Sequence, residues 1–528
     1  MTKKQFVLIT GLTIAALVLG LLISRRVWFR FDLTKNRAYT MAPASRAIRS
    51  EIPDQVRITY YLSDKLSAMY PQPAEITDVL REYAAYSRGK IRLSVRDPVK
   101  AGLTSAVQQL GIRPTQLEIT EEAEATSALV YTGIAIEYLD KVEVLPLVFS
   151  LETLEYDITS RIRALVRDAK REVGVIVGDA VKQWAADYEY LNLMLTQGGF
   201  SVRVIPAGDE IPDSLPALFV LGGAEDLDPW ALYRIDRYIQ CGGNVLFAVT
   251  SVSVNVQTNE GRAVTDRGLL AMISRYGAEV KQALALDKAA LLLTYQTPTP
   301  FGIALQQQIR YPHWIAAQHG SKDNPLTANF SGLDLFWPNP LELNPPQGVD
   351  AQALFTTTGE AWLMTKDFAI APQSAAYLFE GEAPDTKGVK TLGAVLTGAF
   401  PSYFAGQAKP AREGAGEELP AMPAEPKEAR IIVIGNTEIA ANTSYAYTSR
   451  LTDLNFLVTA AAWLGDDDDI IAIRTRQGQG QLNKIVDPEK RARAEAAAQV
   501  INLALAPLAL VIAGLLAAWR RRRRSSAG

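Results

Sequence analysis

Two long apolar runs without charged residues bracket the chain, at residues 5–24 and 496–519. A helix of about 20 apolar residues is long enough to cross the hydrocarbon core of a bilayer. No small-residue cleavage pattern follows the first run, so an uncleaved anchor is favoured over a signal peptide. For the second run, a membrane span is likewise favoured over a buried core helix. We therefore expect a membrane protein that is anchored at both ends.

Basic residues predict the orientation of the two spans. Five arginines lie in the tail at residues 520–528, and the excess of basic residues on cytoplasmic flanks places this tail in the cytoplasm. Two spans put both ends on one side, so residues 1–4 are expected in the cytoplasm as well. The sequence thus predicts a bacterial inner-membrane protein with the bulk of the chain periplasmic or otherwise extracytoplasmic.

Alternating apolar and polar positions predict a first α/β unit over residues 31–168. Continuous or period-two apolar runs indicate strands, and apolar residues at helical spacing indicate helices. The predicted elements are strands at 56–62 and 91–95, helices at 74–86, 103–110 and 151–166, and a hairpin of residues 133–138 and 142–149. The order β-α-β-α-β-β-α is that of a thioredoxin-like domain. Because the chain has no Cys-x-x-Cys pair, redox exchange is excluded as its role.

A second α/β unit is predicted over residues 170–475. Its apolar strands are expected at residues 173–177, 200–205, 217–221, 244–249 and 430–434, several of them followed by glycine. Asp228 and Pro229 predict the N-cap and first turn of a helix. This alternation predicts a doubly wound parallel domain of the glutamine amidotransferase-like or flavodoxin-like kind.

Three further segments have a distinctive composition. Residues 265–405 mix helical and strand patterns and are predicted as insertions. Residues 409–428 are rich in Pro, Ala and Glu and predict a flexible surface loop. Residues 484–495 predict a charged helical stalk that leads into the second span.

Charge is distributed unevenly along the chain. The net charge is −3, yet the first thirty residues and the C-terminal tail each carry +5, which leaves about −13 on the remainder. An acidic external region argues against nucleic-acid binding, which requires a basic surface. The basic ends suit contact with anionic membrane lipid.

Candidate ligand-binding residues follow the strands of the second unit. They are Asp179 after the first strand, Gly222 and Gly223 after the third, and Thr250 and Ser251 after the fourth. Backbone amides in such turns can face an anion or oxyanion. The favoured alternative is that the two glycines only permit a tight turn. No Walker-type or Gly-x-Gly-x-x-Gly loop is present, so nucleotide binding is not predicted.

Catalysis is disfavoured by what surrounds these positions. An amidotransferase would carry a nucleophilic cysteine near Thr250, but the single cysteine, Cys241, comes about nine residues earlier, at a predicted helix C-terminus. One cysteine and two histidines, His313 and His319, offer little for metal or general-base chemistry. For His313 we expect a packing or hydrogen-bonding role. We predict no catalytic residue, no metal and no cofactor.

Several segments, in order, give the chain a resemblance to one family. They are Asp32 to Thr40, Asp97-Pro98, Asp228 with Ile235 to Leu246, Asn324 to Leu326, Leu396 to Ser402, Val433 to Asn436, and Asn455 with Trp463 to Arg474. Together with the two anchors, they resemble the Gldg family, the gliding-motility-type auxiliary subunits of ABC transporters. Asn436, where relatives often carry an acid, and Thr475, near where a lysine often follows Arg474, depart from the family pattern. The resemblance implies a role and no reaction.

That role is a non-catalytic, substrate-handling subunit that works with a separate ABC permease and ATPase. An envelope protein or a glycan is a further candidate ligand, and a homodimer is left open. Two alternatives stay open as well. One is an envelope hydrolase or amidotransferase-like enzyme that uses Ser251 or Thr250. The other is a structural scaffold for motility or cell-envelope proteins.

Overall fold

The computed structural model describes most of the region between the two apolar runs. It covers residues 41–465 without 122–123, 149–150, 152–153, 168–170, 299–303, 328–329, 331, 375–377, 379–385 and 413–417, and it also covers residue 473. These residues belong to one compact unit. The predictions for residues 1–4, 5–24, 484–495, 496–519 and 520–528 lie outside them. No helix among the described residues has both the length and the apolar character that a membrane crossing requires.

The first domain is a four-stranded sheet with helices on both faces. Its elements are α1 (Pro43–Glu51), β1 (Val56–Leu62), α2 (Asp64–Met69), α3 (Gln72–Tyr86), β2 (Ile91–Arg96), α4 (Thr104–Gln109), β3 (Thr115–Glu121), β4 (Glu124–Val130), β5 (Thr132–Tyr138), β6 (Lys141–Leu145) and α5 (Leu154–Arg167). The sheet order is β2-β1-β5-β6, with β1 parallel to β2 and antiparallel to β5.

Apolar side chains fix which helix covers which face of this sheet. Residues of α3 and α5 share one buried cluster with Ile58 and Ile134, whereas Val107 of α4 packs with Ala135 in another. The hairpin β3–β4 lies outside the sheet and was not predicted. The predicted strand at 142–149 is wrong at its end, because β6 stops at Leu145.

The second domain begins with β7 and contains a larger sheet. Its first elements are β7 (Glu172–Val177), α6 (Trp184–Asp187), α7 (Glu189–Gln197), β8 (Ser201–Val204), β9 (Ala217–Leu221), α8 (Pro229–Gln240), β10 (Val245–Ala248), β11 (Val252–Asn255), β12 (Glu260–Ala263), α9 (Leu269–Tyr276), β13 (Ala278–Val280), β14 (Leu284–Leu286), β15 (Ala290–Pro298) and β16 (Ala304–Ala317). The remaining elements are β17 (His319–Gly320), β18 (Leu333–Phe336), β19 (Leu341–Leu343), β20 (Val349–Thr356), β21 (Trp362–Met364), β22 (Thr391–Ala399), β23 (Glu428–Ile434), α10 (Asn442–Thr448) and α11 (Thr452–Leu464), with 3₁₀ turns at Pro372–Ser374 and Glu438–Ala440.

Five parallel strands form the centre of this sheet, in the order β8-β7-β9-β10-β23. Alternate residues of β9 point to opposite faces. Phe219 and Leu221 pack with α7 and α11, whereas Leu218 and Val220 pack with α8 and α9. Helices therefore cover both faces of a parallel sheet, and the predicted α/β class is confirmed.

A β-rich insertion separates β10 from β23 in the chain. Its strands extend the parallel sheet in antiparallel fashion through β22, β19 and β13, with β20 pairing beside β22. A separate three-stranded sheet, β15-β16-β18, contributes Ile315, Leu333 and Leu335 to the core formed with α7 and α11. Part of the segment predicted as a flexible loop, 409–428, is packed against the domain. Leu419 is buried in the core, and the Pro420 carbonyl accepts a hydrogen bond from the Tyr233 hydroxyl of α8.

Candidate functional site

The chain reverses its winding direction between β7 and β9. The helices after β7 cover one face of the sheet, and α8 after β9 covers the other. In parallel α/β sheets, this reversal leaves a crevice at the carboxyl ends of the strands, where ligands characteristically bind. The parallel sheet therefore places a candidate site beyond the ends of β7 and β9.

Glycines allow the two loops to meet closely at this crevice. A Cβ on Gly178 would lie 2.7 Å from the Cα of Gly223. Gly222 and Gly223 have φ angles of +72° and +104°, which side chains other than glycine rarely tolerate. The turn geometry thus explains why both residues are glycine without invoking a ligand. This agrees with the interpretation that the two glycines permit a tight turn.

A cleft of about 520 Å³ opens at this point. Its walls come from the loops after β7, β9, β10 and β23, from the β11–β12 hairpin, and from the end of β18. The lining comprises Asp179 to Lys182, Gly222 to Asp226, Thr250, Val252 to Val254, Val256, Arg262, Val264, Phe336, Trp337, Asn436 to Glu438, Thr443 and Tyr447. Segments far apart in sequence therefore build one concave surface.

Four of the five predicted site residues lie in this lining. Asp179, Gly222, Gly223 and Thr250 contribute to it, but Ser251 does not. Ser251 is 3% exposed, and its hydroxyl donates to the Lys281 carbonyl oxygen at 2.6 Å. Ser251 therefore lies outside the cleft, with a buried side chain whose hydroxyl is already hydrogen-bonded.

The two basic residues of the cleft are both paired with acids. Lys182 Nζ lies 2.6 Å from a carboxylate oxygen of Glu438, and Arg262 makes two hydrogen bonds to the Glu225 carboxylate, of 2.6 and 2.7 Å. The Arg262 hydrogen bond lowers the pKa of Glu225 below its ordinary value. These pairs join the loop after β7 to the 3₁₀ turn after β23, and the β11–β12 hairpin to the loop after β9.

Two further acids line the cleft without such a cation. Asp179 Oδ1 accepts from the Val181 N–H at 3.2 Å, and Asp226 Oδ2 accepts from the Ala180 N–H at 3.0 Å. Among the described residues, no lysine or arginine forms an ion pair with either carboxylate. The crevice between β7 and β9 is therefore acidic.

Aromatic rings form another wall of the cleft. The Phe336 ring centroid lies 6.2 Å from that of Trp337 and 5.7 Å from that of Tyr447. Trp337 has a φ of +53°, which is uncommon for a bulky residue and costs about 1–3 kcal/mol. Its backbone N–H donates to the His313 carbonyl oxygen at 2.9 Å, which helps to hold the strained backbone.

His313 is fully buried beside Tyr311, at a ring centroid distance of 4.7 Å. Neither of its ring nitrogens has a hydrogen-bond partner among the described residues, so the expectation of packing holds and that of hydrogen bonding does not. Burial lowers the pKa of His313 to about 3, and the ring is neutral at physiological pH. In the described parts of the chain, no three His, Cys, Asp or Glu residues group as metal ligands.

Most of the charged and aromatic lining was not predicted from the sequence. Asp226 and Glu438 follow strand ends in the same way as Asp179, so applying that positional rule to every strand could have found them. Phe336, Trp337 and Tyr447 come from the insertion and from α10, and no strand–loop rule points to them.

Comparisons with known proteins support a family but no reaction. A family model described as "ABC-type uncharacterized transport system" matches residues 170–460, and a model described as "Domain of unknown function (DUF7088)" matches residues 35–137. A relative from Borreliella burgdorferi, described as an uncharacterized protein, is 23% identical over 504 residues, or 94% of each chain.

Two solved structures share only distant likeness. The mmIFT52 N-terminal domain is 11% identical with a TM-score of 0.33, over 56% of this chain and 98% of that one. An exo-beta-1,4-mannosidase, Op5Man5 from Opitutaceae bacterium strain TAV5, is 9% identical with a TM-score of 0.24, over 74% and 48%. Neither likeness is close enough to carry an argument about function.

Proposed function

The chain belongs to the family described as ABC-type uncharacterized transport systems, and we propose that it serves an ABC transporter as a non-catalytic auxiliary subunit. The family model carries this proposal, because it spans residues 170–460 and so includes the whole parallel sheet and the cleft. Within this family, the ordered segments described above favour the Gldg-type subunits.

A separate permease and ATPase are the proposed partners. The chain contains no nucleotide-binding loop of the Walker type, so ATP hydrolysis falls to another subunit. The apolar runs at 5–24 and 496–519 would anchor both ends beside the permease, with both termini in the cytoplasm. The two α/β domains would then lie outside the cytoplasmic membrane, where the cleft handles the substrate.

The strand orders support finer fold assignments for both domains. The order β2-β1-β5-β6, with β5 antiparallel to β1, supports a thioredoxin-like first domain. The order β8-β7-β9-β10-β23 supports a doubly wound, flavodoxin-like second domain.

The hydrolase alternative is weaker than the transport one. A serine nucleophile needs an adjacent general base, yet the Ser251 hydroxyl is buried and donates to a carbonyl oxygen. Thr250 Oγ1 lies 2.5 Å from Asn339 Oδ1, and an amide is no base. The scaffold alternative makes no use of the cleft.

Purification of the full chain in mild detergent tests the proposal. We expect an ABC permease and an ATPase to co-purify, and crosslinking in intact membranes to join them to the chain. Isolation of the chain without either subunit, in membranes as well as in detergent, would overturn the transport assignment.

A Ser251→Ala variant separates the two functions. The transport proposal expects unchanged assembly and transport, since Ser251 lies outside the cleft lining. Under the hydrolase alternative, the same change abolishes activity if Ser251 is the nucleophile, and Thr250→Ala abolishes it if Thr250 is, so that the double variant is inactive in either case.

Reporter fusions at residue 528 test the topology. We expect a fluorescent protein fused there to fold and fluoresce, and alkaline phosphatase fused there to stay inactive. The opposite pattern would place the C-terminus outside the cytoplasm and contradict the proposed orientation.

A further inference from the structure

The cleft at the ends of β7, β9, β10 and β23 carries more negative than positive charge. Its four carboxylates face two cations, and both cations are ion-paired. After this pairing, Asp179 and Asp226 remain without a cation among the described residues. The unbalanced charge of the lining is therefore about −2.

Two backbone amides of the loop after β7 already donate to carboxylates of the cleft. The Val181 N–H donates to Asp179, and the Ala180 N–H donates to Asp226. An anionic ligand would have to displace these carboxylates and approach like charges at the same time. The geometry therefore disfavours a phosphate or carboxylate ligand, although strand-to-helix turns commonly bind such groups.

The rest of the lining is apolar and aromatic. Valines of the β11–β12 hairpin and its flanks form one wall, namely Val252, Val254, Val256 and Val264. Tyr447 forms another, since it is 48% exposed and its ring packs 5.7 Å from that of Phe336, whereas Phe336 is completely buried and Trp337 is only 8% exposed. Aromatic faces attract cations through the quadrupole of the ring, so the aromatic wall and the acidic crevice favour the same charge.

We propose that this cleft binds a small organic cation, in which an ammonium or guanidinium group is attached to an apolar body. The cation lies between the two unpaired carboxylates and the exposed ring of Tyr447, and the apolar body lies along the valines. A volume of about 520 Å³ falls within the roughly 300–1,000 Å³ of small-molecule sites. As a statement about transport substrate, the inference rests on the proposed function.

Calorimetric titration of the full chain in a neutral detergent tests the ligand class. The probe is 3-phenylpropyltrimethylammonium, and the comparison compounds are 3-phenylpropanesulfonate and inorganic phosphate. We expect binding of the cation and at least a tenfold weaker response to the two anions. Equal or tighter binding of either anion would overturn the proposal, and so would failure of the cation to bind at millimolar concentration.

Charge variants locate the site. Asp179→Asn and Asp226→Asn are each expected to weaken cation binding by about tenfold. Each change removes a carboxylate that no lysine or arginine of the described residues neutralises. Asp78→Asn changes the net charge of the chain equally, but Asp78 lies on α3 of the first domain, where it pairs with Arg81. This control is expected to leave the affinity unchanged, and equal losses in all three variants would place the binding elsewhere.

An aromatic pair on α10 gives a second test that does not depend on charge. Tyr447 lines the cleft and is 48% exposed, so Tyr447→Ala is expected to fold and to weaken binding several-fold. Tyr445 on the same helix contacts Tyr190 instead, at a centroid distance of 4.3 Å, and Tyr445→Ala serves as its control. Unchanged affinity in Tyr447→Ala would remove the aromatic wall from the site.

The results separate this inference from the proposed function. Cation binding without co-purifying transporter subunits would leave the site intact and overturn the transport assignment. Co-purification without cation binding would support the transport assignment and overturn the cation site.

Discussion

Two buried aspartates, on helices that cover opposite faces of the parallel sheet, are satisfied to very different degrees. Asp236 on α8 is completely buried and accepts from four donors, which are Gln240 Nε2, the Tyr276 hydroxyl, the Ser402 hydroxyl and the Phe404 N–H. Asp453 on α11 is 2% exposed and accepts from two, the Asp334 N–H at 2.9 Å and the Ser444 hydroxyl at 2.7 Å.

The two carboxylates are equally buried and differ in how many hydrogen-bond donors surround them. Burial raises the pKa of Asp453 to about 7, and its two hydrogen bonds offset only part of that effect. Ser444 belongs to α10, whose Thr443 and Tyr447 line the cleft. One face of the sheet thus has a closed polar network, and the other has a titratable carboxyl next to a wall of the candidate site.

Removal of the Asp236 carboxylate is expected to cause the largest loss of stability. Asp236→Ala removes the shared acceptor of four donors, of which the Phe404 N–H keeps Ser402 Oγ at 3.2 Å as a second acceptor, and each unsatisfied buried group costs about 1–3 kcal/mol. We expect a loss in the free energy of unfolding on the order of 5 kcal/mol, measured by denaturant titration. The control is Asp213→Ala, whose half-exposed side chain pairs with Arg237 on the same helix and should cost less than about 1 kcal/mol. Similar losses in both would contradict the network.

Replacing the second carboxylate is expected to change the pH dependence of stability. Between pH 3.8 and about 7, folded Asp453 keeps its proton, whereas the unfolded chain releases it. The contribution of the protonated Asp453 to the free energy of unfolding is therefore fully present below about pH 4 and is lost as the pH rises toward 7. At about 1.4 kcal/mol per pKa unit, the loss is on the order of 4 kcal/mol.

Asp453→Asn cannot titrate, so the variant should lose this slope. The measurement is the free energy of unfolding at pH 4, 6 and 8 for both proteins. Asp334 faces Asp453, and its own pKa is also raised by burial, so a smaller slope of the same sign is expected to persist in the variant. An unchanged slope in Asp453→Asn would show that another group is responsible. Asp78→Asn on the exposed face of α3 is the matched control.

Local pattern predicted the regular elements of both domains better than the site. The strand expected at 217–221 is present with the same bounds, and the Asp228 side chain caps α8 by accepting from the Ala231 N–H, because these signals are local. The cleft depends on Trp337 and Tyr447, which only the tertiary fold brings to the strand ends. Neither periodicity nor turn chemistry contains that information.

The segments that carry the family resemblance serve mainly to join elements of the fold. Ser402 donates to Asp236, so two of these segments meet in one network. Asn244, in the same segment as Asp236, donates to the Leu464 carbonyl oxygen of a third segment and also accepts from the Arg430 N–H of β23. These polar contacts explain why the resemblance predicts an architecture and no reaction.

Removal of one serine hydroxyl from each aspartate tests the same comparison with smaller effects on stability. Ser402→Ala removes one of four donors to Asp236 and is expected to cost about 1–2 kcal/mol. Ser444→Ala removes one of two donors to Asp453, and because that hydrogen bond lowers the pKa of Asp453, the pKa should rise further. Its cost should therefore appear above pH 7 and shrink below pH 5. A cost of Ser444→Ala that does not change between pH 5 and pH 8 would contradict the titration of Asp453.

The smallest effect on stability is expected for Arg450, an exposed residue near Asp453. Arg450 lies 3.3 Å from the Asp334 carboxylate with its side chain 65% exposed, and its charge lowers the pKa of both Asp334 and Asp453. Solvent screens such a pair, so Arg450→Gln should cost at most about 1 kcal/mol at neutral pH, and less at 1 M salt. An effect as large as that of Asp453→Asn would mean that surface charge, and not burial, controls protonation beside the cleft.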